Sequence, residues 1–230
     1  MKSISCKTRF IYFALLMCIP ASVASSQDWE AKPIHDCEQI VCSTQFHQDH
    51  GPWVVVAGGC YTNHENYKKA QNTGDLLAKN GYSVVTGSGP GIMEAANSGA
   101  AQAGGTSLGF ILKGEDLNDH IPQGNYCQVS HISHRLQGMI GNSSGCIVFP
   151  GGLGTVDEVF FALDNFRYQE VPNPVVLVGT QFWGPLVEWI KNLHYTHTCP
   201  KNLYLVDSSE DAVEIIQSHY KNQSCSFSSN

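Results

Sequence analysis

Cys146-Ile147-Val148-Phe149-Pro150-Gly151-Gly152-Leu153-Gly154-Thr155-Val156-Asp157-Glu158 decides the fold. The apolar residues up to Phe149 read as a buried strand, the glycines as a tight turn, and Val159-Phe160-Phe161-Ala162-Leu163 as the body of a helix. The turn therefore stands at the carboxyl end of a strand, where open α/β sheets bind their ligands. Glycines at 151, 152 and 154 let the backbone approach a ligand closely, and unpaired N–H groups at a helix start attract an anion such as phosphate. The same residues have a purely structural reading. Thr155 and Glu158 fit a capping box, in which the glutamate reaches back to the N-cap amide.

The architecture recurs upstream. Tyr82-Ser83-Val84-Val85-Thr86 reads as a strand, and Gly87-Ser88-Gly89-Pro90-Gly91-Ile92-Met93-Glu94 as a turn entering a helix, with Pro90 suited to the first helical turn. Two glycine-rich turns at strand ends, each followed by a glutamate, point to a phosphorylated, polyhydroxylated ligand.

Working outward, strands are expected at Trp53–Ala57, Tyr82–Thr86, Thr106–Ile111, Gly145–Phe149, Pro174–Val178 and Leu203–Val206. Helices are expected at Asn66–Lys79, Pro90–Ala103, Ser133–Asn142, Thr155–Tyr168, Phe182–Leu193 and Ser209–Tyr220. This alternation predicts an α/β fold, a Rossmann-like open parallel sheet of about six or seven strands with helices on both faces. Gly114 to Asn125, rich in Gly, Asn, Asp and Pro, reads as a long loop of the kind that borders ligand sites and serves as a lid.

The amino terminus reads differently. Lys2, Lys7 and Arg9 precede an apolar stretch from Phe10 to Cys18, followed by Ala21-Ser22-Val23-Ala24, the pattern of a secretory signal peptide cleaved after Ala24. The expected organisation is a signal peptide at 1–24, an extension at 25–51, one Rossmann-like domain at 52–222 and a tail at 223–230. The mature protein is then secreted or periplasmic, without stable membrane insertion. Removing 1–24 moves the formal charge from −7 to −10, which disfavours nucleic acid as a partner. Seven cysteines remain, and an oxidising compartment favours disulfides. Cys37 with Cys42 and Cys199 with Cys225 are the first pairings to consider, and Cys146 reads as a buried small hydrophobe. His131 and His134 have a spacing that suits two metal ligands, but no third ligand is apparent, so no metal is expected. Asn142-Ser143-Ser144 and Asn222-Gln223-Ser224 match glycosylation acceptors.

PGGLGTVDE at 150–158 resembles the P-G-G-x-G-T-x-x-E signature of the Lonely Guy family, the cytokinin-activating phosphoribohydrolases, whose wider membership includes sequences once labelled possible lysine decarboxylases. GSGPGIMEAA at 87–96 is similar to the family's other glycine motif. Ala57-Gly58-Gly59, Gly104-Gly105-Thr106-Ser107, Trp183 and Trp189 extend the resemblance from about Trp53 to Asp207. It implies hydrolysis of the N-glycosidic bond of a (cytokinin) nucleoside 5′-monophosphate, without a cofactor, by a homodimer. The implied catalytic pair is Arg135 and Glu158. Implied substrate and phosphate contacts are Gly87, Ser88, Gly89, Gly91, Glu94, Gly151, Gly152, Gly154, Thr155 and Asp157. The family usually carries Arg-Lys where this chain has Arg135-Leu136, a departure that bears on phosphate or ribose contacts.

Such a reaction passes through an oxocarbenium-like transition state, which a carboxylate near C1′ stabilises while positioning or deprotonating water. That role falls to Glu158. Arg135 keeps its proton and serves electrostatically. Glu94 and Asp157 are candidates for ribose hydroxyls, and Asp157 is equally a first-turn acid favoured by the helix dipole. Two alternatives stand beside this reading: a non-catalytic protein that binds nucleotides or other phosphorylated ligands, and a general AMP nucleosidase. A pyridoxal-dependent decarboxylase is disfavoured, because Lys113 is the only lysine between Asn80 and Thr180 and nothing around it suggests that cofactor.

Overall fold

Runs such as Trp53-Val54-Val55-Val56-Ala57 are apolar at every position, so they fit only a strand covered on both faces. The computed structural model describes residues 50–193 and 200–227, with residues 221–227 by backbone alone. It shows seven strands: β1 (Trp53–Ala57), β2 (Ser83–Thr86), β3 (Ser107–Leu112), β4 (Tyr126–Val129), β5 (Cys146–Val148), β6 (Val175–Val178) and β7 (Leu203–Val206). The helices are α1 (His64–Lys79), α2 (Ile92–Gln102), α3 (Ile132–Ile140), α4 (Leu153–Phe166), α5 (Thr180–Lys191) and α6 (Ser209–Phe227). All strand pairs are parallel, in the order β4-β3-β2-β1-β5-β6-β7. This is the expected Rossmann-like α/β architecture.

Alternation along the strands divides the core in two. Trp53, Val55, Val148 and Leu177 face α3, α4 and α5, where Met139, Phe166 and Trp183 pack. Val54, Val56, Ile147 and Val176 face α1, α2 and α6, where Leu77, Ile92 and Ile216 pack. The Trp53 indole meets Phe110 edge to face at 6.2 Å, and its Nε1 donates to the Met139 carbonyl at 3.1 Å, so this large ring is buried without an orphaned donor.

Differences from expectation have local causes. β4 was not anticipated: it is a four-residue edge strand whose side chains alternate exposed and buried, and it follows a run rich in turn formers. Helix α1 starts at His64 rather than Asn66 because Asn63 caps it, its Oδ1 accepting from the Asn66 amide at 2.8 Å. The leader, the extension up to Asp49, the 223–230 tail and Cys37, Cys42, Cys199 and Cys225 lie outside the residues whose side chains are described. Cys127 on β4, unassigned in the first pairings considered, is disulfide-bonded, while Cys146 is free and buried.

α1 and α2 approach so closely that their contact is written in glycine. A Cβ at Gly74 would strike the Ala96 carbonyl, and one at Gly99 would strike the Gln71 carbonyl. Backbone cannot swing aside as a side chain can, so Gly99→Ala is expected to cost about 2–3 kcal/mol, beyond any gain in helix propensity. Urea unfolding measures this; a loss below about 0.5 kcal/mol would mean that the helices separate freely.

Candidate active site

Strand order reverses between β1 and β5, and the loops leaving these two strands diverge to opposite faces of the sheet, opening a crevice at their carboxyl ends. Here lies a cleft of ≈ 1130 Å³, lined by the turns after β1, β2 and β5 and by the loop between β3 and β4. The turns are laced together: the Gly59 amide donates to the Pro150 carbonyl at 3.0 Å, and the Ile92 amide to the Gly59 carbonyl at 3.2 Å. Glycine is needed at two of these crossings. Gly91 has φ +75°, and a Cβ there would meet the carbonyls of Gly59 and Cys60; a Cβ on Gly151 would meet the Thr155 side chain and the Gly59 amide.

The structure brings most of the sequence-predicted residues together. Gly87, Ser88, Gly89 and Glu94 line the cleft from the first turn and α2. Gly151, Gly152, Gly154, Thr155 and Glu158 line it from the second turn and α4, and Arg135 enters from α3. Gly91 and Asp157 do not line it. Gly91 is buried beneath the turn as the N-cap residue of α2, and Asp157 is exposed, one position round the helix from Glu158.

The capping-box explanation of Thr155 and Glu158 does not hold in the structure. α4 begins at Leu153 with Gly152 as N-cap and no side-chain cap, so Thr155 is already inside the helix and Glu158 is not held by an N-cap amide. Nor does Leu136 leave a gap in the cleft, because it is 5% exposed and packs in the core beneath α3.

Two features of the β3–β4 loop escaped sequence analysis. Glu115 pairs with Arg135, Oε2 to Nη1 at 3.3 Å. Asn118 ties the loop to the first glycine turn by hydrogen bonds to the Ser88 and Gly89 carbonyls. The expected lid thus borders the cleft as a fastened wall. Only its composition was visible beforehand, since neither partner is near in sequence.

Elsewhere, His131 and His134 meet edge to face at 5.3 Å, and among the described residues no group of three or more His, Cys, Asp or Glu could hold a metal ion. No helix among the described residues is long and apolar enough to cross a membrane.

Arg135 lies over Gly87, where a Cβ would come within 3.7 Å of its Cζ, and its Nε is buried without a partner. A half-buried cation with a donor to spare is a ready anion ligand. Glu158 is 8% exposed; burial pushes its carboxyl up to about 7, the Arg135 cation opposes that rise, and Asp157 adds to it. The folded chain therefore retains a proton that the unfolded chain, with an ordinary value of 4.5, has released. The resulting destabilisation is absent below about pH 4.5, grows as pH rises, and is complete above about pH 7. Glu158→Gln is expected to be more stable than wild type by roughly 2–4 kcal/mol at pH 8, and equal to it near pH 4. Thermal unfolding at the two pH values checks this, and a pH-independent difference would contradict it.

The model of the family described as "Possible lysine decarboxylase" matches residues 93–218. Cytokinin riboside 5′-monophosphate phosphoribohydrolase of Mycobacterium tuberculosis is 30% identical over 176 residues, which are 71% of this chain and 92% of that protein. Pyrimidine/purine nucleotide 5′-monophosphate nucleosidase of Escherichia coli K12 is 29% identical over 149 residues, 58% of this chain but only 32% of that longer protein. Among solved structures, the molybdenum cofactor binding protein from Rippkaea orientalis aligns with a TM-score of 0.61 and 26% identity, over 73% of this chain and 96% of that one. The family match spans more than half of the sequence and includes Arg135 and Glu158, and the phosphoribohydrolase relative is covered almost throughout: the chain belongs to the Lonely Guy family.

Proposed function

We propose that this protein hydrolyses the N-glycosidic bond of nucleoside 5′-monophosphates, releasing free base and ribose 5-phosphate. The observation that carries the reading is Glu158: buried, free of any capping role, raised to about 7, and electrostatically coupled to Arg135 between two glycine turns. Simple phosphate binding has no use for a carboxylate that repels the ligand. A reaction that develops positive charge at C1′ does. Among the described lining residues Arg135 is the single cation against the carboxylates of Glu94, Glu115, Asp116, Asp119 and Glu158, a balance that suits one phosphate rather than a chain of them.

In this mechanism the glycine turns and Arg135 hold the phosphoribosyl group. The C1′–N bond breaks with its electron pair leaving on the base, while water adds to C1′ and gives a proton to the Glu158 carboxylate. The departing base takes up a proton, completing hydrolysis. Met93, Leu117 and Phe182 give the cleft apolar surface against which a base can pack, and we extend the proposal to a prenylated adenine as that base. The runner-up reading is non-catalytic binding of a phosphorylated ligand, favoured by the likeness to a protein that binds the molybdenum cofactor.

Export and dimerisation belong to the same proposal. A disulfide at Cys127 agrees with an oxidising compartment reached through a leader at 1–24. Phe160 and Trp189, in edge-to-face contact at 6.2 Å and 37% and 55% exposed, form an apolar surface on α4 and α5 suited to a second copy of the chain.

Chromatographic detection of free base from adenosine monophosphate and isopentenyladenosine monophosphate tests the activity and ranks the two bases. Wild type is expected to release base, with Glu158→Gln and Arg135→Ala slower by about a hundredfold or more. Because the ionised carboxylate is the active form, kcat/KM should rise as pH increases through about 7 and level off above it, and this limb should vanish in Glu158→Gln. Ligand-induced thermal stabilisation without base release would establish the binding reading instead. Light scattering of Trp189→Glu beside wild type checks the dimer; a wild-type monomer would sink that part of the proposal.

A further inference from the structure

The first glycine turn is unusual in its polarity. Ser88, at φ +69°, is the one non-glycine residue with positive φ among those described, and its Oγ is buried without a partner against Gly109. Two costly features at one residue persist only where neighbouring groups hold them. The neighbour here is Asn118, more than twenty residues away in sequence on the β3–β4 loop.

Both the backbone amide and the side-chain Nδ2 of Asn118 donate to the Ser88 carbonyl, each at 3.0 Å, so both lone pairs of that oxygen are engaged by one residue. Nδ2 also lies 3.3 Å from the Gly89 carbonyl and 3.1 Å from Asn97 Oδ1, while Asn118 Oδ1 accepts from the His120 amide at 3.2 Å. The amide can stand only one way round, since the reverse would set its oxygen against three other oxygens. Asn97 is anchored in turn: its Oδ1 accepts from Thr86 Oγ1 at 2.7 Å and its Nδ2 donates to Ser107 Oγ at 2.8 Å. Thr86 Oγ1 accepts from the Ser88 amide at 3.0 Å, which closes the network.

We propose that Asn118 is a positioning residue for the phosphoribosyl group: by engaging the Ser88 and Gly89 carbonyls it keeps their negative ends off the ligand and leaves the turn anion-receptive. This rests on the reading of the cleft as a nucleotide site. Across a trans peptide the Gly89 N–H points opposite to the Ser88 carbonyl, hence away from Asn118. Without the Asn118 side chain, the peptide between Ser88 and Gly89 can turn over through Ser88 ψ and Gly89 φ, which would present a carbonyl where the anion binds. The same tether holds Glu115 within reach of Arg135, so the loop and the catalytic arginine are set by one side chain.

Titration calorimetry of the full mature chain with ribose 5-phosphate tests this, with Asn118→Ala, Asn118→Asp and the double variant Asn118→Ala/Ser88→Gly. The dissociation constant is expected to rise at least tenfold in Asn118→Ala and further in Asn118→Asp, whose carboxylate would face the two carbonyls. In the double variant glycine accepts positive φ freely, so the melting temperature should recover while the affinity stays low. For nucleotide hydrolysis, KM should rise tenfold with kcat within threefold. Affinity within twofold of wild type in Asn118→Ala, or affinity restored along with stability in the double variant, would overturn the proposal. Failure of wild type to bind ribose 5-phosphate would overturn it as well. Wild type that binds ribose 5-phosphate but releases no base would refute hydrolysis alone and leave the role of Asn118 to be judged by the same affinities.

Discussion

Everything at the cleft depends on the adjacency of β1 and β5. They are neighbours in the sheet although about ninety residues separate them in the chain, and their registers bring Ala57 beside Val148. One hydrogen bond past that pair, the Gly59 amide meets the Pro150 carbonyl, and from there the two loops diverge to opposite faces of the sheet. The divergence makes room for a ligand, and the parallel strands aim the amino ends of α2 and α4 toward that space. Crowding at the crossing explains why Gly91 and Gly151 carry no side chain: backbone from one loop fills the volume a Cβ would need.

A second consequence of this placement is the state of Glu158. Its helix starts early enough for the glutamate to lie in the second turn, packed at the floor of the cleft rather than spent on capping. Burial opposes its ionisation more strongly than Arg135 favours it, leaving a carboxyl poised near neutrality. That is a cost to the fold of the kind active sites carry: a carboxylate best solvated by water has been moved out of it, and in the proposed reaction the developing cation would take the place of that water.

The polar groups under the first glycine turn work in the opposite direction. Thr86, Asn97, Ser107 and Asn118 satisfy one another in a buried network, so the strained Ser88 is held at little expense of unpaired groups beyond its own hydroxyl. Glycine and backbone crowding shape both turns, and side-chain amides shape the first as well. In the proposed function both would leave an anion facing N–H groups and a cation rather than carbonyl oxygens.

By itself the sequence determined six of the seven strands to within one residue at either end and the two glycine-rich turns, because apolar runs, helix periodicity and glycine placement act over a few residues and are expressed locally. It also singled out Arg135 and Glu158, through motif resemblance rather than through any spacing that could place an arginine beside a glutamate in space. The edge strand β4 stayed hidden, since four alternating residues on a sheet border carry little local signal. Only the tertiary structure decided that Thr155 is not a cap, that Leu136 belongs to the core, that Asp157 stands outside the cleft, and that Glu115 and Asn118 belong to it. Each of these depends on which way a side chain faces after distant elements pack, and on the burial and partners it acquires there. Those are properties of the assembled fold that no local pattern encodes.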